Sequence, residues 1–267
     1  MPSTDLFTHN PAPRSDMHPV IQVFECMANA IDLGIPSVKE NARDKEFHFQ
    51  DWIQNRLVET GLSYDPPGRH KYPDYTLVHH ALGFEVKGLA FPGRVADFDC
   101  NSAVPKPTSN GRDVYYIFGR YPKKVGAGAL IVHDLVLCTA RFLNADTNYV
   151  HNNTNFAGFG SYGDIKVRDR KMYICPTPFA LTTGTERQVT LILDQGNTMD
   201  LGSDLLVKVG ELERTECAEI VVGYEYDMRT HKLLAHTEPN PSAGLVHKFD
   251  AYKIRGVSDS PVQIRQD

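Results

Sequence analysis

The chain lacks any apolar run long enough to cross a membrane. A spanning helix needs roughly 20 consecutive apolar residues, and even a run of about 18 is missing. The longest apolar stretch, ALIVHDLVLC, is interrupted by His133 and Asp134. Residues 1–19 are rich in proline and have no apolar centre, so they do not resemble a secretory signal. We therefore expect no membrane partner and a flexible arm over residues 1–19.

Cysteine is sparse and irregularly placed. The 267 residues contain five cysteines, an odd number, and no Cys-x-x-Cys pair. This pattern argues against a disulfide framework and against a structural zinc site. Separate free thiols are typical of a reducing compartment, so we expect a cytoplasmic protein.

Signature motifs of several enzyme classes are missing as well. The sequence has no His-Glu-x-x-His motif of zinc proteases and no Gly-x-Ser-x-Gly motif of serine hydrolases. The glycine-rich stretch NFAGFGSYGD (155–164) has neither a phosphate-binding lysine nor a clear strand before it. We therefore expect no nucleotide cofactor.

The residues that are present indicate one globular domain of mixed architecture. Composition, with 41% hydrophobic and 23% charged residues, fits a chain with a substantial core. Helices are predicted over 20–34 and 44–61, and 128–142 is ambiguous between strand and helix. Strands are predicted in YTLVHH, FEVKGL, VYYIFGRY, KMYICP, VTLILD and AEIVVGYEYD. We predict an α/β or α+β fold, a mixed β-sheet flanked by helices, in a single domain over 20–267.

The second predicted helix carries an acidic residue at the head of its apolar stripe. At about 100° per residue, Phe49, Ile53 and Leu57 share one face of the helix. Glu46 falls on the same stripe. An N-terminal glutamate can favour the helix dipole alone, or it can point toward a site in the interior, and both interpretations stay open.

The segment YPDYTLVHHALGFEVKGLA (72–90) places one lysine and two carboxylates within two predicted strands. Residues two apart on a strand point to one face, so Glu85 and Lys87 are predicted to lie side by side. If the strands pair as a hairpin, Asp74 returns beside Lys87. Gly88, which has no side chain, is expected to let a phosphate backbone approach.

Two carboxylates and a lysine at this spacing suit the hydrolysis of phosphodiesters with magnesium. Mg²⁺ takes hard oxygen ligands, typically one or two carboxylates with water and substrate phosphate. The ion acidifies water and neutralises developing charge, and a lysine can orient or deprotonate that water. The opposing interpretation is an exposed acid–base pair, which is common on strands and contributes little. The strongly apolar strands around the charges favour a functional site.

The order of Glu46, Asp74, Glu85 and Lys87, with a proline just before the aspartate, resembles the PD-(D/E)XK nuclease superfamily, in particular type II restriction endonucleases. The resemblance covers residues 44–90. It implies that Asp74 and Glu85 bind Mg²⁺ and that Lys87 assists the attacking water. It also implies that Glu46 joins the catalytic site, as a helix acid does in some members of the superfamily.

The resemblance implies a function as well as a fold. Type II restriction endonucleases are Mg²⁺-dependent, site-specific hydrolases of double-stranded DNA, and reading a palindrome favours a two-fold homodimer. The family core is a mixed sheet flanked by helices, in which VYYIFGRY suits the next strand and the catalytic core extends over about 44–142. The alternatives are a repair or junction nuclease of the same fold, and a non-catalytic DNA-binding protein in which Glu85 and Lys87 form a surface pair.

Charge is unevenly distributed along the chain. The net charge is −5, yet segment 104–124 carries five basic residues against one acidic residue, and segment 194–227 carries nine acidic against two basic residues. One surface can therefore be positive. We predict that loops within 101–124 and 151–171 contact DNA and that at least one enters the major groove. The predicted contact residues are Lys106, Asn110, Arg112, Asn152, Asn153, Asn155, Lys166, Arg168 and Arg170.

Overall fold

A computed structural model of the chain provides the fold. It describes residues 17–41, 43, 47–68, 71–92, 98–101, 104–123, 126–145, 161–162, 165–168, 172–175, 178–179, 188–197, 204–227, 229–230, 232–257, 262 and 264. Met17 is buried and Pro19 begins the first helix. The arm predicted over residues 1–19 can therefore extend no further than residue 16, and that part lies outside the described residues.

Two α-helices lie in the described part of the chain, α1 (Pro19–Asp32) and α2 (Phe47–Thr60). Both are followed by a glycine with left-handed backbone, Gly34 at φ 65° and Gly61 at φ 71°, a conformation that commonly ends helices. Neither helix is long and apolar enough to cross a membrane.

Sixteen strands are described. They are β1 (Ser37–Lys39), β2 (Tyr64–Asp65), β3 (Tyr75–Leu77), β4 (Leu82–Phe91), β5 (Phe98–Asn101), β6 (Thr108–Ser109), β7 (Arg112–Pro122), β8 (Gly128–Leu130), β9 (Asp134–Thr139), β10 (Lys166–Arg168), β11 (Met172–Cys175), β12 (Gln188–Asp194), β13 (Leu206–Thr215), β14 (Glu219–Asp227), β15 (Lys232–Pro239) and β16 (Val246–Ile254). All six strands predicted from the sequence are confirmed. The ambiguous segment 128–142 forms β8, β9 and a short 3₁₀ helix, Ala140–Phe142.

A large mixed sheet dominates the fold. Its strand order is β13-β16-β12-β9-β7-β4-β3-β2, and β6 pairs with β7. The pairs β4–β7 and β9–β12 are parallel, and the other pairs are antiparallel. The prediction of a mixed sheet with helices is therefore confirmed. The strand VYYIFGRY lies in β7, directly beside β4, which is the place expected for the next strand.

The two described helices pack on the same face of this sheet. The apolar stripe predicted for α2 is confirmed, because Phe49, Ile53 and Leu57 are all fully buried. They join a core that also contains Phe84 of β4 and Ile117 of β7. The predicted alternation of β4 is confirmed by this packing, since Phe84 lies on the helical side of the strand.

Two glycines allow α2 to approach the sheet closely. A Cβ atom on Gly119 would lie 2.2 Å from Cζ of Phe49, and one on Gly88 would lie 2.9 Å from Phe49 and from Tyr121. The expectation that Gly88 makes room for a phosphate backbone is therefore wrong. The missing side chain of Gly88 makes room for the Phe49 ring, on the face opposite to Glu85 and Lys87.

A second core cluster lies on the other face of the sheet. A small three-stranded sheet of order β10-β11-β5 contributes to it, because Phe98 of β5 packs edge-on against Phe118 of β7 with ring centroids 4.7 Å apart. Arg120 and Asp134 form a buried ion pair on this face. The guanidinium also lies over the ring of Phe179, 3.9 Å from its centroid.

The cysteines whose side chains are described are free thiols, as expected: Cys26, Cys138 and Cys217. Burial, reinforced by the nearby carboxylate of Glu59, raises the pKa of Cys26 to about 11. Desolvation disfavours the thiolate at all three positions, which fits structural rather than reactive cysteines.

Candidate active site

The β3–β4 hairpin brings the predicted acidic residues together. Tyr75 pairs with Phe84 and Thr76 with Gly83, so Asp74 lies next to Glu85 across the two strands. The expectation that Asp74 returns directly beside Lys87 is therefore wrong by two residues. The turn is confined to residues 78–81, and β4 begins already at Leu82, which shifts the register.

Backbone hydrogen bonds hold the two carboxylates in place. The amide of Asp74 donates to Oε2 of Glu85 at 3.2 Å, and the amide of Val86 donates to Oδ2 of Asp74 at 2.8 Å. Each acid thus accepts a hydrogen bond from the strand that carries the other. Strand β3 begins only at Tyr75, so it offers no backbone partner to the amide of Val86 in β4. The carboxylate of Asp74 accepts the hydrogen bond of this amide instead.

Glu85 and Lys87 lie side by side as predicted. Nζ of Lys87 is 2.7 Å from Oε1 of Glu85. The side chain of Lys87 is only 13% exposed and that of Glu85 only 9%. The two residues therefore do not form the exposed surface pair of the alternative interpretation. Burying an ion pair costs desolvation free energy that its attraction often fails to recover. The pair is therefore poorly explained by stability alone, which favours a functional role.

Aromatic residues surround the acid–lysine pair on its face of the sheet. In the parallel register of β4 and β7, Glu85 lies beside Tyr116 and Lys87 beside Phe118. Both aromatic side chains are buried. An apolar floor of this kind lowers the local polarity and strengthens the interaction of the charged groups with each other and with an ion.

In the described part of the chain, the site lies where β4 loses its pairing with β3. β3 ends its pairing with β4 at Phe84, whereas β4 continues to Phe91. Asp74 and Lys87 are both partly exposed. Among the described residues, no strand pairs with β4 beyond Phe84 on the side of β3.

A tyrosine ties this hairpin to helix α2. The hydroxyl of Tyr75 donates to the backbone carbonyl of Gln50 at 3.0 Å. Burial, with further contributions from Asp74 and Asp51, raises the pKa of Tyr75 well above its usual range. The hydroxyl therefore keeps its proton at all physiological pH values, and the residue next to Asp74 stays anchored to the helix.

The donor set fits magnesium in chemical type. Asp74 and Glu85 supply hard carboxylate oxygens from adjacent strands, which is the ligand type and number that Mg²⁺ takes from proteins. Each carboxylate is oriented by a backbone amide and has further lone pairs. In the described part of the chain, no group of three or more His, Cys, Asp or Glu side chains is arranged to hold a metal ion, so water and phosphate oxygens would have to complete the coordination.

The fourth predicted catalytic residue, Glu46, lies outside the described residues, and its role stays a prediction. The described part of α2 begins at Phe47. Phe49 packs on the sheet face opposite to Glu85 and Lys87, as its proximity to Gly88 and Gly119 indicates.

The first predicted DNA-binding loop lies next to the Asp74 segment. It is a tight β6–β7 hairpin rather than an open loop, with Asn110 at φ 51° and Gly111 at φ 73° in its two-residue turn, as an Asn-Gly pair favours. Lys106 and Asn110 are exposed and Arg112 is partly buried. Nε of Arg112 has no hydrogen-bond partner among the described residues.

Only a small part of the second predicted DNA-binding segment is described. Lys166 and Arg168 lie in β10, which is a strand and not part of a loop as expected. Strand β10 is joined through β11 to β5, and β5 contacts β4. The remaining predicted residues of this segment, Asn152, Asn153, Asn155 and Arg170, lie outside the described residues.

Sequence reasoning missed two tyrosines close to the site. The hydroxyls of Tyr72 and Tyr116 are 3.2 Å apart, and that of Tyr72 bonds the backbone of Lys106. Tyr116 was predicted only as part of a strand, and nothing in its neighbourhood along the chain signals the contact. Tyr72 stands immediately before the Pro–Asp pair, which was the only available signal.

The chain was also compared with known proteins. No family model, no curated protein and no solved structure matches it.

Proposed function

We propose that the protein is a Mg²⁺-dependent, site-specific endonuclease for double-stranded DNA, acting as a type II restriction enzyme. The observation that supports this most is that the buried Glu85 and the partly exposed Asp74 and Lys87 come together. They are held by two backbone hydrogen bonds and an ion pair, where β4 has no strand partner on this side among the described residues. A carboxylate pair with an adjacent lysine matches the needs of phosphodiester hydrolysis.

In this proposal, each residue has a separate task. Asp74 and Glu85 hold the ion through carboxylate oxygens. Mg²⁺, when bound, acidifies water and neutralises charge on the phosphate. Lys87 orients the attacking water or takes up its proton. Hydrolysis adds this water across one P–O bond, so that one DNA end carries the phosphate and the other a hydroxyl group. Glu46 is a further candidate ligand.

The proposed activity requires two partners, a DNA duplex and a second copy of the chain. The substrate is double-stranded DNA, contacted by Asn110 and Arg112 of the β6–β7 hairpin and by Lys106, which precedes this hairpin. Cutting both strands of a palindrome requires two copies of the site, so we propose a homodimer with two-fold symmetry.

Digestion of DNA with random sequence content tests the proposal. PCR-amplified, and therefore unmethylated, bacterial DNA is incubated with the protein and Mg²⁺, and all new ends are sequenced. We expect ends that share one short sequence, and no new ends when Mg²⁺ is replaced by EDTA. Cleavage confined to branched DNA would instead identify a junction nuclease. DNA binding without any new ends would identify a non-catalytic DNA-binding protein.

A further inference from the structure

A stiff segment of three residues, Pro105–Lys106–Pro107, lies close to the candidate active site. Proline fixes its own φ near −65° and restricts the residue before it to extended conformations. Lys106 is exposed. The surrounding backbone therefore fixes the position from which the flexible Lys106 side chain starts.

Every backbone hydrogen-bonding group of this segment is engaged. The amide of Val114 donates to the carbonyl of Pro107 at 2.9 Å. Nδ2 of Asn144, which is fully buried, donates to the carbonyl of Pro105 at 2.9 Å. The hydroxyl of Tyr72 donates to the carbonyl of Lys106 and accepts from its amide, both at 3.1 Å. The segment has no other backbone donor or acceptor, because proline lacks an N–H.

The same hydroxyl connects the segment to the candidate active site. Tyr72 stands two residues before Asp74, and its hydroxyl lies 3.2 Å from that of Tyr116, which is the neighbour of Glu85 in the register of β4 and β7. Either of the two hydroxyls can donate in this contact. The chain of contacts therefore runs from the neighbour of Glu85 to the backbone of Lys106.

A solvated lysine that serves only solubility needs no such support. Ordering a flexible side chain on binding costs free energy, and a backbone that is already held in place reduces this cost. The ammonium group is a compact point charge that suits a phosphate oxygen. Tyr72, which contacts the backbone of Lys106, stands two residues before Asp74 of the carboxylate site.

We propose that Lys106 binds a backbone phosphate of the DNA strand that enters the Asp74–Glu85 site, and that Tyr72 and Tyr116 are positioning residues that aim it. This inference rests on the proposed cleavage of DNA. It assigns Lys106 to sequence-independent phosphate binding rather than to reading bases.

Hydrogen exchange of the Lys106 amide tests whether Tyr72 holds the Lys106 backbone, and it does not depend on a cleavage assay. The hydrogen exchange of the Lys106 amide is followed by NMR on its own assigned backbone resonance. In Tyr72→Phe, which loses only the hydroxyl, we expect this amide to exchange at least about tenfold faster, because its acceptor is gone. The matched control is Tyr252→Phe, which removes a hydroxyl that bonds Asp250 on β16. Unchanged exchange in Tyr72→Phe would overturn the proposal that Tyr72 holds the Lys106 backbone.

Cleavage kinetics on the fragment mapped in the digest test the role. We expect Lys106→Gln to raise KM about tenfold with little change in kcat, and to reduce the slope of log affinity against log salt by about 0.9, the value for one phosphate contact. Tyr72→Phe should raise KM several-fold with kcat retained. The double variant should be no worse than Lys106→Gln alone, because Tyr72 acts through Lys106.

The outcomes separate this inference from the proposed function. If the wild-type protein cleaves DNA but Lys106→Gln leaves KM and the salt slope unchanged, the inference is wrong and the endonuclease stands. Additive effects in the double variant would likewise remove the positioning role of Tyr72. If the wild-type protein neither binds nor cleaves DNA, both proposals fail, whatever the amide exchange of Lys106.

Discussion

The amide of Val86 donates a hydrogen bond to Oδ2 of Asp74 at 2.8 Å, so a carboxylate completes the edge of β4 where its strand partner is missing. The contact holds the Asp74 carboxylate against the strand that carries Glu85. The contact also allows the charge of Asp74 to be removed without losing this hydrogen bond. Asparagine at position 74 keeps an oxygen that can accept this hydrogen bond and loses only the charge.

Lys87 should act on the chemical step. We expect Lys87→Ala to lower the cleavage rate roughly 10²–10⁴-fold, the usual contribution of a general acid–base group, and to keep DNA affinity measured in EDTA. A matched control is Lys248→Ala, which removes an exposed lysine 3.0 Å from Glu213 on the neighbouring strand. A Lys87→Ala protein that retains more than about a hundredth of the wild-type rate would contradict the assignment.

Gly119 should be required for the packing of α2. In Gly119→Ala, the new Cβ would lie 2.2 Å from Cζ of Phe49, and overpacking of this kind costs about 1–3 kcal/mol of unfolding free energy. Gly210→Ala is the control, since nothing lies within 4 Å of its added Cβ. Urea unfolding should show a smaller loss for Gly119→Ala when Phe49→Leu is also present. Equal losses for Gly119→Ala and Gly210→Ala would mean that Phe49 does not press on this glycine.

Replacing only one residue of the buried ion pair of Arg120 and Asp134 should lower the free energy of unfolding strongly. Asp134→Ala leaves a buried guanidinium without its carboxylate, and such losses cost about 3–5 kcal/mol of unfolding free energy. Replacing both residues, as in Arg120→Met with Asp134→Leu, should recover much of this loss. The exposed pair of Lys208 and Glu211 is the comparison, and Glu211→Gln should leave the unfolding midpoint unchanged. Full stability in Asp134→Ala would refute this account.

His18 should make the stability of α1 depend on pH. Its Nδ1 accepts from the amide of Val20 at 3.3 Å, which requires a neutral ring. Burial and, secondarily, the nearby His80 lower the pKa of His18 below 6.5, while Asp113 acts in the opposite direction. The unfolded chain therefore binds the proton more readily. This contribution to stability is complete above about pH 6.5 and is lost as the pH falls through the lower folded-state pKa.

Urea unfolding at pH 7.5 and pH 5.5 measures this effect. The wild-type protein should lose more stability on acidification than His18→Asn, because asparagine caps a helix without titrating. The difference should be smaller than the ~1 kcal/mol that a helix cap is typically worth, since His18 is only partly buried. Identical losses in the two proteins would show that His18 does not titrate with folding.

Much of the fold near the site could be predicted from local patterns. The stripe of Phe49, Ile53 and Leu57 predicted α2, and the period of two along β4 predicted the contact between Glu85 and Lys87. The same alternation also places Gly88 on the buried side with Phe84. The contact between Gly88 and helix α2 could therefore have been predicted from the sequence.

Other features depend on contacts between distant parts of the chain. Tyr72 and the backbone of Lys106 are 34 residues apart in sequence, and nothing local to either residue indicates their contact. The register that places Asp74 beside Glu85 depends on where the turn closes, and one or two residues decide it. Strands β13, β15 and β16 carry many polar residues, so that hydrophobicity alone did not mark them.

The most direct test of the proposed endonuclease compares Asp74, just before β3, with Asp65 on the neighbouring strand β2. Asp74→Asn removes a candidate Mg²⁺ ligand, whereas Asp65→Asn makes the same substitution at β2, where Oδ2 accepts only the hydroxyl of Thr76 among its described contacts. The measurement is the rate of Mg²⁺-dependent cleavage of unmethylated DNA at equal protein concentration. The account predicts sequence-specific cleavage by the wild-type and Asp65→Asn proteins and at least about a hundredfold slower cleavage by Asp74→Asn. Equal cleavage by the two variants would contradict it.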